Sequence, residues 1–299
     1  MTATIPTQLI NGLWKCTESE YHADTEYVSN SDLRLFRDSI PRYHGLRIAK
    51  TIAPEDDTSA RALGTAVHAC LLQPSIVNDL LVQWPVGDGK QAEVKRARER
   101  VSTEAGHTAN PKIRTIGERT IVTVDEWNQA KAMAAAALKH PLVAEMVEMP
   151  GYCEQAVRVN SPETGKIKAR FDKLFETGHI LEIKTTRRLH PEAFSRDAYS
   201  LGYHRQAAFY EDVRDLAMGA GQGVFVFVVI CSIEPYETVV YSLEEKARDL
   251  GRLENYQLLA ELRERQERND WSSRWAKVQR LDLPYYAYPR EQREQRQSY

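Results

Sequence analysis

Apolar residues in the first half of the chain recur at the spacing of one helical turn. In the first such segment, Leu33 and Phe36 lie three apart behind a serine that can cap a helix, and Pro41 follows the segment. The next segment is mostly apolar, with His68 as its polar exception, and a third is rich in alanine after an acidic start. Helices are predicted over residues 31–38, 59–72 and 125–139.

Downstream of residue 150, the pattern changes to short segments that alternate apolar and polar residues or are rich in β-branched residues. Turn-forming pairs such as Thr164-Gly165 and Thr177-Gly178 separate these segments. Three consecutive segments of this kind predict an antiparallel meander. Its strands are predicted over residues 154–159, 166–175 and 179–184.

Helical spacing returns in the last third of the chain, on both sides of a predicted strand pair. The longest apolar run, Val224 to Ile230, has the length of a strand and falls far below the ~20 apolar residues that a membrane-spanning helix needs. This order of elements is typical of an α/β or α+β fold with one central mixed sheet flanked by helices. The predicted elements are a helical region over 191–218, strands over 224–231 and 236–242, and a long charged helix over 243–266.

The 299 residues fit one large core with appendages. A charged segment that is poor in large apolar residues interrupts the first half and groups Lys90, Lys95 and Arg96. A solvated helix and loop is the ordinary interpretation of such a charge run. We expect an N-terminal extension over 1–20, a core domain over 21–268 with a charged insertion at about 84–119, and a tail over 269–299.

Composition and charge limit the classes of protein to which the chain can belong. The formal net charge is −2, so any contact with nucleic acid must be local. The N-terminus lacks the basic and apolar segments of a secretory signal, and a cytoplasmic location is the default expectation. The cysteines at 16, 70, 153 and 231 stand singly, without the grouping that binds an iron–sulfur cluster, so no cluster is expected.

Two acids and a lysine fall together on the second and third predicted strands. A hairpin brings Asp172 on the second strand close to Glu182 and Lys184 on the third. Glu182 and Lys184 are two residues apart and therefore face the same side of the sheet. They could be exposed charges on a half-solvated sheet. The strand is otherwise apolar, however, and charges on a central strand need partners or a metal.

These residue types suit the hydrolysis of a phosphodiester. Mg²⁺ prefers oxygen ligands, which Asp172, Glu182 and the backbone carbonyl of Ile183 would supply. Lys184 would orient the attacking water or help to deprotonate it, and would stabilise the charge of the transition state. Glu154 begins the neighbouring strand and is a candidate for a further metal or water ligand.

Five motifs occur in a fixed order between residues 21 and 243. They are Tyr21-His22-Ala23-Asp24 with Ser29-Asn30-Ser31-Asp32-Leu33, then Gly64-Thr65-Ala66-Val67-His68, Arg170-Phe171-Asp172, Glu182-Ile183-Lys184-Thr185-Thr186, and Gln206 with Tyr210. Together they resemble the nuclease domain of RecE-type exonucleases (exodeoxyribonuclease VIII) in the PD-(D/E)xK superfamily. Phe171 stands where the superfamily's name has a proline.

The resemblance implies a restriction-endonuclease-like core and a role for each motif. It places His68 beside the metal site as a catalytic or metal-binding residue, although a lone histidine on an apolar helix is more often a core residue. It places Gln206 and Tyr210, which share one face of a helix, toward the DNA backbone. Composition alone makes Arg34, Arg37, Lys90, Lys95 and Arg96 candidate phosphate contacts.

The resemblance also implies an activity and partners. The activity is a Mg²⁺-dependent exonuclease, with Mn²⁺ as a substitute, that degrades linear duplex DNA 5′ to 3′ in phage or prophage recombination. The implied partners are a single-strand annealing protein of the RecT kind and further copies of the chain in a homo-oligomeric ring around DNA. Two alternatives stay open. One is a structure-specific or restriction-like endonuclease on the same fold, and the other is a catalytically silent DNA-binding scaffold.

Overall fold

A seven-stranded mixed sheet forms the centre of the computed structural model, which describes residues 12–53, 58–84, 92–96, 99, 114–219, 221 and 223–281. The strands, in chain order, are β1 (Leu13–Trp14), β2 (Val28–Ser29), β3 (Leu81–Trp84), β4 (Thr115–Ile116), β5 (Arg119–Thr123), β6 (Gly151–Ser161), β7 (Gly165–Phe175), β8 (Ile180–Thr186), β9 (Phe225–Cys231) and β10 (Thr238–Ser242).

The central sheet follows the order β1–β6–β7–β8–β9–β10, and β2 also pairs with β7. The pairs β2–β7 and β8–β9 are parallel, and the other neighbours are antiparallel. A parallel pair needs a long crossover connection, which two helices between β8 and β9 provide. A separate small sheet has the order β3–β5–β4.

Helices cover both faces of the central sheet. They are α1 (Glu18–Ala23), α2 (Asn30–Asp38), α3 (Ile40–Tyr43), α4 (Ser59–Leu72), α5 (Val77–Leu80), α6 (Val124–Ala137), α7 (Pro141–Glu148), α8 (Pro191–Leu201), α9 (Tyr203–Met218) and α10 (Glu245–Arg268). One apolar core includes α2, α3, α8, α9 and α10, and the core on the opposite face includes α4, α6 and α7. No helix among the described residues is both long enough and apolar enough to cross a membrane.

The predicted central sheet flanked by helices is confirmed. The helix predicted over 59–72 has the same bounds as α4, and Thr58 caps its N-terminus. The predicted helical region over 191–218 is divided at Gly202, whose φ of 75° ends α8 in the left-handed conformation. The Gly-Tyr pair after Leu201 gives a sharp corner that brings α9 back across the sheet.

The small sheet was not predicted. Its strands are two to five residues long, and β4 together with the start of β5 falls in the segment that we predicted to be a solvated helix and loop. Short strands are stabilised by their partners, here the pairing of Leu81 with Thr120, more than by their own sequence. Much of that charged segment, including Lys90, lies outside the described residues.

A buried lysine fixes α1 to the central sheet. Lys168 on β7 is fully buried, and its ammonium donates hydrogen bonds to the backbone carbonyls of Tyr21 and Asp24. The ammonium also lies 4.6 Å from the centroid of the Tyr21 ring. Because alternate residues of a strand share a face, Lys168 lies on the same side of β7 as Arg170 and Asp172. The contact therefore places α1 beside the predicted catalytic strand.

Candidate active site

Strands β7 and β8 diverge in the middle of the sheet. Their residue pairing is confined to Lys173 with Leu181 and Leu174 with Ile180. Directly beyond these pairs, Oδ2 of Asp172 accepts a hydrogen bond of 2.7 Å from the backbone N–H of Ile183. The carboxylate takes the place of a bond between the strands and is held at the base of a cleft of about 580 Å³.

Glu182 and Lys184 both project from β8 toward the N-terminal part of α9. Oε1 of Glu182 accepts hydrogen bonds from Nζ of Lys184 at 2.7 Å and from Nε2 of Gln206 at 2.6 Å. The Lys184 ammonium also lies 4.8 Å from the centroid of the Tyr203 ring. Oε2 of Glu182 is buried and has no hydrogen-bond partner among the described residues. One oxygen of this carboxylate is therefore fixed, and the other lacks a donor or a cation.

A second group of ligand atoms lies on the other side of Asp172. Nδ1 of His68 is 3.4 Å from Oδ1 of Asp172 and 3.7 Å from Oε1 of Glu154. Glu154 has the left-handed φ of 52°, which a residue other than glycine adopts at a cost, and such outliers cluster at functional sites. Nε of Arg170 lies 3.3 Å from Oε2 of Glu154 and holds the carboxylate from its other side.

Burial and crowding of these charges perturb their pKa values in a consistent way. Burial, together with the neighbouring Asp172 carboxylate, raises the pKa of Glu182 to about 7. Burial alone would raise the pKa of Asp172, but His68 and Lys184 hold it below its ordinary value. For His68, burial acts to lower the pKa, but the Asp172 and Glu154 carboxylates keep it well above the ordinary value. The raised pKa values of Glu182 and His68 thus reflect an excess of negative charge that a bound cation would also compensate.

The residues present fit a hard divalent cation. The ligand atoms of His68, Glu154 and Asp172 all lie within 4.8 Å of one another. Carboxylate oxygens are the ligands that Mg²⁺ and Mn²⁺ prefer. Glu182 is not part of this group of three, but its unpartnered Oε2 is a further oxygen that would gain from a nearby positive charge. Ile183 lines the same cleft.

The pKa values lead to a prediction about stability. A group whose pKa is raised on folding stabilises the folded state fully below its unfolded pKa, and this stabilisation is lost as the pH rises through the folded pKa. For Glu182 the loss falls between about pH 4.5 and 7, and for His68 it falls above about pH 6.5. We therefore expect the metal-free protein to melt at a lower temperature at pH 8 than at pH 6. Mg²⁺ or Mn²⁺ should raise Tm more at pH 8, as scanning calorimetry can measure.

The control for this prediction is Glu182→Gln, which removes one of the two raised pKa values that affect stability between pH 6 and pH 8, and should flatten the pH dependence of Tm without metal. Asp172 does not contribute within this window, because its lowered pKa affects stability only at more acidic pH. A metal-free Tm that increases from pH 6 to pH 8 would contradict the assignment of protons to the site.

A separate prediction distinguishes the two interpretations of His68. If His68 is a metal-site residue, His68→Ala should weaken divalent-cation binding by at least about 10-fold, a loss typical when a metal site loses a supporting group, and should change Tm little. The matched control is Val67→Ala on the same helix, because Val67 is fully buried in the core. That variant should lose stability through a cavity and keep its affinity for the metal. Calorimetric titration with Mn²⁺, run beside melting curves, separates the outcomes.

The cleft brings most of the predicted site residues together. It is lined by Arg34, His68, Glu154, Asp172, Ile183, Lys184, Gln206 and Tyr210. Gln206 uses its amide to orient the Glu182 carboxylate, and the Tyr210 ring packs edge-on against Phe171 with centroids 5.2 Å apart. Lys95 and Arg96 are exposed and are not among the described residues that line the cleft. Nζ of Lys95 lies 3.9 Å from Oε1 of Glu99. DNA contacts by Gln206 and Tyr210 stay a prediction.

Two residues that sequence reasoning did not assign a role take part in the site. Arg170 entered the sequence analysis only as part of a motif, but its guanidinium links Glu154 to Glu18 of α1. Nη1 of Arg170 lies 3.6 Å from Oε2 of Glu18. Tyr203 covers the Lys184 ammonium. The alternation of Lys168, Arg170 and Asp172 along β7 was a signal that could have identified Arg170. The contact of Tyr203 depends on the corner at Gly202, which periodicity does not reveal.

Comparisons with known proteins agree with this geometry. Residues 29–283 match a family model described as "PDDEXK-like domain of unknown function (DUF3799)". A crystal structure from Eubacterium rectale, described as that of a "putative exonuclease", has a similar fold with a TM-score of 0.56 and 13% sequence identity. The alignment covers 92% of this chain and 98% of that one. No curated protein matches the sequence.

Proposed function

The chain belongs to the family of PDDEXK-like domains of unknown function, since the family model matches well over half of its residues, and on this premise we propose that it is a divalent-metal-dependent deoxyribonuclease that degrades linear duplex DNA from an end. One observation carries the proposal. Asp172, Glu182 and Lys184 converge where β7 and β8 diverge, and one buried oxygen of Glu182 has no partner among the described residues.

Each of these side chains has a distinct role in hydrolysis. Asp172 and Glu182 would hold the cation, together with His68 and Glu154. When bound, the cation supplies positive charge to the phosphate and lowers the pKa of a water molecule. Burial acts to lower the pKa of Lys184, but the Glu182 and Asp172 carboxylates raise it above its ordinary value. Lys184 therefore acts as an ammonium that orients the attacking water and stabilises charge in the transition state, rather than as a base.

Gln206 and Tyr203 keep this arrangement fixed before substrate arrives. Gln206 shares Oε1 of Glu182 with Lys184, so the carboxylate and the ammonium have one relative orientation. The Tyr203 ring covers the ammonium and limits the water around it. An electrostatic site that is already oriented stabilises the transition state without reorganising during the reaction.

The finer parts of the proposal rest on the order of the five motifs and on the description of the Eubacterium rectale protein. They are exonucleolytic action, 5′ to 3′ polarity, a role in phage or prophage recombination, a single-strand annealing protein of the RecT kind as partner, and a homo-oligomeric ring around DNA. A restriction-like or structure-specific endonuclease would use the same metal site, because fold and metal ligands do not determine where a strand is cut.

The experiment that tests this function compares closed circular and linear duplexes of the same sequence, with Mg²⁺ or Mn²⁺ and with chelator. We expect the linear duplex alone to be degraded, and only with the metal. Labels at either the 5′ or the 3′ end then report polarity, and early release of 5′-labelled mononucleotides is the expected result. Cleavage of the closed circle would favour an endonuclease. Failure to cleave any duplex in either metal would contradict the proposed function.

A further inference from the structure

A second groove lies next to the active-site cleft and shares two of its walls. The groove has a volume of about 660 Å³. It is lined by Arg37, Tyr199, Arg205, Leu258, Arg274 and Trp275 and by the acids Asp38, Glu254 and Glu261. Arg34, Leu201 and Tyr203 line the cleft. Along α2, Arg37 follows Arg34 by one turn, a rise of about 4.5 Å. The end of α8 and the start of α9 likewise contribute residues to both, so the two sites lie along the same helices.

Two aromatic rings stand open to solvent at this groove. Tyr199 is 65% exposed and Trp275 is 61% exposed. The Tyr199 ring is stacked on the His204 imidazole, with centroids 5.5 Å apart and an interplanar angle of 17°. A large ring that is supported on one side and open on the other is a suitable surface for stacking by another flat group.

The segment that carries Trp275 is held in place by its neighbour. The Arg274 guanidinium donates hydrogen bonds to the backbone carbonyls of Phe36 and Arg37, at the C-terminal end of α2, and pairs with Glu261 of α10. These contacts fix the backbone beside Trp275 without covering the indole. The exposure of Trp275 is therefore a property of a fixed segment, and a ligand that covered the indole would remove apolar surface from water.

An arginine without a partner among the described residues lies on the neighbouring wall of the cleft. Arg205 itself is 5% exposed, pairs with Glu254 through Nη1 and packs its Nη2 against Gly202, so it is not available to a ligand. Arg34 is exposed and makes no hydrogen bond or ion pair within the part of the chain that the structure describes. The acids of the groove, Asp38, Glu254 and Glu261, are each already paired with an arginine.

We propose that this groove binds unpaired nucleotides of the DNA strand that continues from the active-site cleft, with bases stacked on Tyr199 and Trp275 and a phosphate against Arg34. The inference rests on the proposed function, because it takes DNA as the substrate. Open aromatic rings beside arginines are the combination that binds single strands without sequence preference, since every base has a flat face and every nucleotide a phosphate.

The test measures binding without cleavage. The probe is a labelled oligothymidine of about 12 nucleotides, within the usual range of single-strand site sizes. Its fluorescence anisotropy is measured with chelator present, so that no divalent metal supports cleavage. Tyr199→Ala and Trp275→Ala should each raise Kd by about 5- to 100-fold, the effect of losing one stacked base. Tyr199→Phe and Trp275→Phe should recover most of the affinity, because a ring is retained. Tyr256→Ala is the matched control, since Tyr256 is 41% exposed on α10 away from the groove.

Several outcomes would overturn the proposal. Wild-type affinity in both alanine variants would do so, and so would equal losses in the alanine and phenylalanine variants, because stacking survives in phenylalanine. A groove occupied by a partner protein would give the first of these results. The linear-duplex assay of the wild-type protein tests the proposed function separately. If the wild-type protein does not cleave linear duplex but the alanine variants weaken oligothymidine binding, the proposed function has failed. If it cleaves linear duplex but the variants bind normally, the groove proposal has failed.

Discussion

Cleavage of linear duplex DNA by Asp172→Ala and Glu182→Ala is expected to fall by roughly 10³-fold or more, that is, to background. Each substitution removes an oxygen that is proposed to hold the cation, and Asp172→Ala also leaves the backbone N–H of Ile183 without its acceptor. DNA binding should largely survive, because the arginines proposed to contact phosphate are intact. Single-turnover digestion of a labelled duplex in Mg²⁺, with anisotropy for binding, measures both quantities.

Glu182→Gln makes this prediction sharper. The variant should be as inactive as Glu182→Ala, yet its metal-free form should melt at a higher temperature than the wild type at pH 8. The reason is that a buried carboxylate with a pKa of about 7 must lose its proton there, whereas an amide carries no charge. The control is Glu163→Ala, an exposed acid in the turn between β6 and β7. Near-normal cleavage by any variant at 172 or 182 would show that the site is wrongly assigned.

Lys184→Ala is expected to lower the turnover rate by roughly 10²-fold or more, the loss observed when one electrostatic stabiliser is deleted. Affinity for Mn²⁺ should stay within a small factor of the wild type, because the lysine does not hold the metal. Lys184→Arg should not restore activity. The ammonium lies 2.7 Å from Glu182 and 4.8 Å from the centre of the Tyr203 ring, a space that suits a compact cation rather than a planar guanidinium.

The matched control for Lys184 is Lys166→Ala, because Lys166 is an exposed lysine of the same sheet that pairs with Glu26. Its removal should leave turnover unchanged. Single-turnover cleavage and calorimetric metal binding on the same preparations test the two halves of the prediction. Normal cleavage by Lys184→Ala would leave this lysine as a structural charge. Equal losses of metal affinity and turnover would instead make it part of the metal site.

Local periodicity predicted those parts of the molecule whose conformation depends on nearby residues. The alternation of Leu181, Glu182, Ile183 and Lys184 was enough to place both charges on one face of a buried strand, and the structure has them there. The helix that carries His68 was predicted with its observed bounds, because its apolar run begins and ends at capping and breaking residues.

What the sequence did not predict depends on contacts between distant segments. The bond from Gln206 to Glu182 joins residues 24 positions apart on different elements. The left-handed backbone of Glu154 has no signature in its residue type, because glutamate rarely adopts it. The resemblance to RecE-type nucleases brought Gln206 to attention as a DNA contact, which stays a prediction, but it did not indicate the bond from its amide to the Glu182 carboxylate.

The contacts of the buried Lys168 ammonium begin earlier in the chain than the family match does. The family match begins at residue 29, but Lys168 is satisfied by carbonyls of Tyr21 and Asp24, which precede that point. Without them a fully buried charge would have lost its acceptors, at a cost of about 3–5 kcal/mol. Arg170 would lose Glu18 at the same time. The family match thus covers a shorter stretch than the one whose contacts support β7, and the segment ahead of the match helps to position the candidate metal site.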